Sequence, residues 1–329
     1  MRAPKFWYGK SVGARVLAAL LSPLAVLYRA GVALKPKRRN PMRAHAKVVC
    51  IGNLTLGGTG KTPVAIALAE IFSGGGVKVV FLSRGYRGRL AGPVGVDLTQ
   101  HSAADVGDEP LLLARTAPTI VSRDRAAGAV MADALGAEIV ILDDGHQNYS
   151  LQKDLSFVVV DAAIGFGNGR LFPAGPLREP IGEGLARADA AIVVGEGEFQ
   201  MSEFTGPILR ARLVAAGQDA IAGKKLLAFA GIGRPEKFFA TLKKMGGEIC
   251  ASRRFADHRP YSENEIRKLH AHAARLDAQL VTTQKDFVRI ADHQREGIFP
   301  LPVRAEFENA RVLAGVLKKL TDKTVRAKS

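Results

Sequence analysis

Acidic residues are missing from the first 69 positions of this 329-residue chain, where twelve lysines and arginines precede the first acid, Glu70. The residues that follow carry 35 basic against 31 acidic side chains, so most of the formal net charge of +16 belongs to the front end. A chain basic throughout suggests nucleic acid, whereas one basic only at its front suggests a local anionic surface. Cysteine is nearly absent. Cys50 and Cys250 alone exclude a disulfide framework and make a reducing compartment the default. Each stands beside an apolar run and is expected to be a buried thiol. Aromatics make up only 6% of the chain, with no cluster for stacking bases, so nucleic acid is not an expected partner.

The front end also lacks a run long enough to cross a bilayer. Residues 16–28 are apolar apart from Ser22, Pro23 and the Tyr28 hydroxyl, but a span needs ~20 residues. Arg15 and Arg29 bracket the run, and Lys35, Lys37, Arg38, Arg39 and Arg43 follow it. A basic cluster after the run, with no small-residue cleavage site, argues against a removed leader. Such a run either packs on the domain as a helix or lies in a membrane interface with its arginines on lipid phosphates. The second is the expectation, with Trp7 and Tyr8 suited to an interface and residues 1–35 forming an N-terminal membrane-associated segment.

What is present is ordinary globular composition, 47% hydrophobic and 24% charged, in a length that suggests about two domains of ~150 residues. From residue 46 short apolar β-branched runs alternate with helical spacings. Strands are expected at 47–54, 77–82, 119–121, 138–142 and 155–160, with helices at 61–72 and 110–117. Further strands are expected at 190–194, 208–214 and 225–230, then helices at 235–245, 262–275 and 309–320, with a basic tail from Lys323. This alternation predicts an α/β fold, a mostly parallel sheet with helices on both faces. The weak pattern at 195–206 divides a nucleotide-binding domain, 36–200, from a smaller C-terminal α/β domain, 201–329.

The strongest motif is Thr55-Leu56-Gly57-Gly58-Thr59-Gly60-Lys61-Thr62, between a strand and a helix. Glycines let backbone N–H groups converge on phosphate oxygens, and the helix N-terminus favours negative charge. Lys61 is expected on the β- and γ-phosphates and the Thr62 hydroxyl on Mg²⁺. Thr55 stands where the usual pattern has glycine. The apolar run ending in Asp143-Asp144 delivers carboxylates to the C-terminal edge of the sheet, where one of the two holds magnesium or its water shell.

Asp108 and Glu109 open a helix, where acids serve as caps. Arg84, Tyr86, Arg123, Arg125 and Arg178 follow strands or Gly/Pro-rich loops and as a set suggest a second phosphate site. His258 lies in a loop, where a histidine is free to act. Thr283-Gln284-Lys285-Asp286 loosely resembles the guanine-reading box of G proteins, which keeps a regulatory P-loop GTPase as the rival reading.

Seven segments occur in an order that resembles the tetraacyldisaccharide 4′-kinase family: GNLTLGGTGKTP (52–63), SRGYRG (83–88), VGDEP (106–110), LDDGHQ (142–147), FPAGPLREP (172–180), FADH (255–258) and TTQKD (282–286). The resemblance implies a two-lobed P-loop NTPase-like fold. It implies transfer of the ATP γ-phosphate to the 4′-hydroxyl of an acylated glucosamine disaccharide 1-phosphate, in lipid A biosynthesis. It also implies a monotopic position on the cytoplasmic face of the bacterial inner membrane, with no obligate protein partner. Under it Asp108 is the catalytic base with His258 as partner, Lys61 and Thr62 serve the nucleotide, and Glu109, Asp143 and Asp144 lie around Mg²⁺. His146 stands where many members of that family carry an aromatic residue such as Phe, and gains no catalytic role from its type.

Overall fold

Apolar β-branched runs, bounded by turns and separated by helices, collapse into strands covered on both faces. The computed structural model of the chain describes residues 4–34, 40–202 and 204–325. Helices α1 (Val12–Leu20) and α2 (Ser22–Ala33) lead to β1 (Lys47–Gly52), α3 (Lys61–Gly74), β2 (Val79–Ser83) and the short β3 (Val94–Gly95). Then come α4 (Ala103–Val106), α5 (Asp108–Leu113), β4 (Thr119–Val121), α6 (Arg125–Ala134), β5 (Ile139–Asp143) and β6 (Leu155–Asp161). They are followed by α7 (Ile181–Leu185), β7 (Ala190–Val194) and β8 (Ile208–Ala215). A second set comprises β9 (Lys225–Ala230), α8 (Pro235–Lys244), β10 (Glu248–Arg254), α9 (Glu263–Arg275), β11 (Gln279–Thr283), α10 (Gln284–Phe287) and β12 (Ile298–Leu301). The chain closes with β13 (Val303–Phe307) and α11 (Ala310–Val325).

The first sheet has the order β13-β8-β7-β6-β1-β5-β2-β4-β3, parallel except where β13 meets β8 and β3 meets β4 at its two edges. One face buries Val64, Leu68 and Phe72 of α3 with Leu313, Val316 and Leu320 of α11. The other takes Ala129 and Ala132 of α6. The second sheet, β10-β9-β11-β12, is parallel throughout, with Phe238 and Leu242 of α8 on one face and Ile266 and Leu269 of α9 on the other.

The expected α/β class holds, but the expected division at residue 200 cuts through the first sheet. β8 and β13 lie beyond that point, and their pairing returns the chain to the sheet where it began. The second lobe is an excursion between them. Cys250 is exposed, not buried, because β10 is an edge strand whose side chains alternate between the lobe and solvent; Cys50, inside β1, is buried as expected.

The apolar front run is two helices bent by 49°, since Pro23 has no N–H to continue the first and starts the second. No single helix among the described residues is long and apolar enough to cross a membrane. Trp7 is not an interface residue. It is buried, its Nε1 donates to Pro173 O at 3.1 Å, and its ring meets Phe172 edge to face. Arg170 Nη1 ties the bend down through Ser22 Oγ. Lys35, Lys37, Arg38 and Arg39 of the basic cluster lie outside the described residues. At the C-terminus α11 continues through Lys323 to Val325; the remaining tail, 326–329, also lies outside them.

Candidate active site

β1 is the fifth and central strand of the sheet's nine, flanked by β6 and β5, and its end is where the phosphate loop begins. The buried Asn53 side chain ties the loop together, its Nδ2 donating to Thr55 O at 2.8 Å and lying 3.4 Å from Thr59 Oγ1. Thr55 bridges to Leu177 in extended pairing, which explains why the usual glycine is not needed there. The conformational demand falls on Gly60, at φ +88° as the cap of α3, where a Cβ would sit 3.1 Å from Val194. Lys61 and Thr62 are thereby set at the first turn of α3.

β5 runs parallel to β1 with Asp143 opposite Ile51, so the two acids emerge beside the loop. Asp144 takes φ +49° and swings its carboxylate onto two cations, Lys61 Nζ at 3.4 Å and Arg178 Nη1 at 3.0 Å. Burial opposes its ionisation, but those two charges prevail and hold its carboxyl well below the usual range. Asp143 has the opposite fate. It is 1% exposed, its Oδ1 has no hydrogen-bond partner, and burial together with the negative charges of Glu109 and Asp144 pushes its pKa up.

Asp108 begins α5 and owes its place to Gly107. That residue has φ +90°, and a Cβ on it would stand 2.6 Å from Tyr86 O, so the strand-following loop 83–88 and the α5 N-terminus can touch. Asp108 is buried, with Oδ2 2.9 Å from His258 Nδ1. Burial works against its charge, but the His258 hydrogen bond and the charges of Lys285 and Arg289 outweigh it, leaving a pKa of about 2. Tyr86 meets the His258 ring edge to face, and Arg87 Nη1 donates to Asp257 O. The site is thus closed by one loop from each lobe.

The expected residues therefore gather in two linked groups. Thr55 to Thr62, Asp143, Asp144 and Arg178 form one; Asp108, His258 and Tyr86 form the other, with Glu109 bearing on both through Asp143 and Lys285. The arginines do not act as one set. Arg178 is engaged by Asp144 and Gln147, Arg123 Nη2 donates to Gly88 O, and Arg84 is exposed after β2. Arg125 is buried near Asp143. His146 is core: fully buried, with Nε2 2.8 Å from Gly184 O.

Sequence reasoning missed Lys285 as a member of the site. Its Nζ donates to Glu109 Oε1 at 3.0 Å and lies 3.4 Å from His258 Nε2. The TTQKD motif was the available signal, read for the wrong ligand. Asp286 is fully buried and saturated by protein donors, which leaves nothing to read guanine and removes the GTPase reading.

The sequence model of the family described as tetraacyldisaccharide-1-P 4′-kinase matches residues 17–321. The tetraacyldisaccharide 4′-kinase of Rhodospirillum centenum is 48% identical over 326 residues, 97% of this chain and 97% of its own length. That of Methylobacterium radiotolerans is 49% identical over 320 residues, 95% of this chain and 97% of its own. Among solved structures, LpxK from Aquifex aeolicus in complex with ATP is similar with a TM-score of 0.74 and 26% identity, covering 92% of this chain and 99% of that one.

Proposed function

The chain belongs to the tetraacyldisaccharide-1-P 4′-kinase family, and we propose how its residues divide the work of that phosphoryl transfer. It is an ATP-dependent kinase of lipid A biosynthesis that phosphorylates the 4′-hydroxyl of a tetraacylated glucosamine disaccharide 1-phosphate. Asp108 takes the hydroxyl proton. The observation that carries this assignment is its buried contact with His258 between the lobes, next to Glu109, whose charge bears on Asp143.

In a loose phosphoryl-transfer transition state, positioning and charge count for more than the strength of the base. A carboxylate at about 2 is a weak base but always ionised near neutrality, ready to accept a hydrogen bond from the alcohol and its proton as the O–P bond forms. His258 Nδ1–H donates to Oδ2 and fixes the carboxylate's direction. Lys61, once ATP draws it from Asp144, neutralises charge on the β- and γ-phosphates. Arg84, Tyr86 and Arg123 face the acceptor sugar, and Arg178 changes partners between Asp144 and the phosphates.

The acids fit a divalent cation. Asp143 buries an unpartnered oxygen among negative neighbours, which is the environment a cation would relieve. Among the described residues no three His, Cys, Asp or Glu side chains are set to hold a metal ion by themselves, so Asp143, Asp144, Glu109 and Thr62 would hold Mg²⁺ only together with nucleotide phosphates and water, as this ion prefers. Bound there, Mg²⁺ would neutralise developing phosphate charge.

We further infer that the enzyme works as a peripheral protein on the cytoplasmic face of the inner membrane. Val12, Val16, Leu20, Leu24, Val26 and Leu27 of α1 and α2 are all more than half exposed, an apolar surface suited to acyl chains. Incubation with ATP, Mg²⁺ and the tetraacyl disaccharide 1-phosphate should give a bis-phosphate product, at a rate that anionic vesicles raise. A rate indifferent to vesicles would leave α1 and α2 a structural role only.

A further inference from the structure

The Asp286 carboxylate takes four protein donors. Gly231 N at 2.8 Å, Tyr261 Oη at 2.5 Å and Arg289 Nη2 at 2.6 Å share Oδ1, and Thr283 Oγ1 at 2.5 Å serves Oδ2. A carboxylate so occupied has little capacity left for a ligand, and what it delivers is the orientation of Arg289. That guanidinium is buried too. Its Nε donates to Lys285 O at 3.0 Å, Nη2 to Gly231 O at 2.9 Å and Nη1 to Arg259 O at 3.3 Å.

Two of those carbonyls bracket His258. Gly231 O also accepts from His258 N at 3.3 Å, and Arg259 is the next residue along the chain. His258 itself sits at φ +57°, a left-handed conformation that a non-glycine residue keeps only when its surroundings over-determine it. Arg289 Nε meanwhile stands 3.6 Å from Asp108 Oδ2, in the other lobe.

We propose that Arg289, oriented by the buried Asp286, is a positioning residue that holds His258 against Asp108 across the boundary between the two lobes. It acts through the pair and touches neither nucleotide nor acceptor. A lysine would keep the charge but not the planar fork that serves three carbonyls and two carboxylates at once. The TTQKD segment thus keeps one structural habit, an aspartate after a strand, and turns it inward on catalysis. The inference rests on the assignment of Asp108 and His258 given above.

Steady-state kinetics of the full-length Arg289→Lys and Asp286→Asn variants test it, alone and combined with His258→Ala. Misplacing a reacting group by about 1 Å costs roughly 10²-fold, so each single variant should lose kcat by about that factor with the KM for ATP unchanged. In the His258→Ala background the same substitutions should cost little more, because the geometry they protect is already gone. Equal losses in both backgrounds, or wild-type kcat in Arg289→Lys, overturn the proposal. Each variant breaks the Asp286–Arg289 contact from one side, so either suffices if the other fails to fold. Asp108→Asn and His258→Ala alone separate the two readings. Full activity in these sinks the base assignment; impaired activity in them, with Arg289→Lys unaffected, sinks only the positioning role.

Discussion

Asp108 and His258 are 150 residues apart in the chain and 2.9 Å apart in the fold, Oδ2 to Nδ1. Asp108 begins a helix beside the first sheet, and His258 sits in a loop of the second lobe that follows β10. The pair exists only while the two lobes keep their register.

Asp108→Asn keeps the shape of the side chain and removes its ability to take a proton. General-base contributions run at about 10² to 10⁴-fold, so kcat should fall within that range. The KM for ATP should not change, since the phosphate loop is untouched. Initial rates at saturating lipid decide it: a raised KM for ATP at constant kcat makes Asp108 a nucleotide or cation ligand.

The same carboxylate should leave a mark on acid stability. Its folded pKa of about 2 lies below the ordinary 3.8, so its stabilisation is complete above the unfolded value and lost as pH falls toward 2. A shift of this size is worth about 2 kcal/mol. Urea unfolding should show wild type more stable than Asp108→Asn at pH 5, with the gap closing as pH is lowered through that window. A gap independent of pH would mean the carboxylate is not specifically stabilised in its charged form.

Asp143 predicts the reverse sign. Its ionised form is disfavoured by burial and by Glu109 and Asp144, so Asp143→Asn should be at least as stable as wild type in metal-free buffer. Mg²⁺ should then raise the melting temperature of wild type and leave the variant where it was. Equal responses to Mg²⁺ in calorimetry would remove Asp143 from cation binding.

Two sets of front-end variants should behave oppositely. Replacing Val12, Leu20 and Leu27 together by serine alters side chains that are at least two-thirds exposed, so the melting temperature should hardly move while co-sedimentation with anionic vesicles falls. Trp7→Ala empties a buried site against Phe172 and Pro173 and should cost about 3–5 kcal/mol of stability. Undiminished vesicle binding by the triple variant would count against the membrane reading.

Most of the first sheet was legible because its inner strands are buried on both faces and spell near-continuous apolar runs; Ala190–Val194 matches its expectation residue for residue. α6 was missed because Arg125–Ala134 is rich in alanine and glycine, which carry almost no periodic contrast. β13 was missed for a different reason. Its burial alternates over only five residues, and its partner β8 lies across the whole second lobe. The phosphate loop and its acids could be read locally, since their chemistry is contained within a few residues. Lys285 and Arg289 could not, because their roles depend on Glu109, Gly231 and Asp108, which no spacing connects to them.

The return of the chain to the first sheet sets an order on its birth. β13 and α11 are made after the whole second lobe, yet Leu313, Val316 and Leu320 share a core with the α3 side chains behind Lys61. A ribosome must therefore release the second lobe and α11 as well before the nucleotide lobe can close. Until then α3 presents Val64, Leu68 and Phe72 without the helix that covers them, and the second lobe, whose sheet runs from β9 to β12 without interruption, is free to fold first.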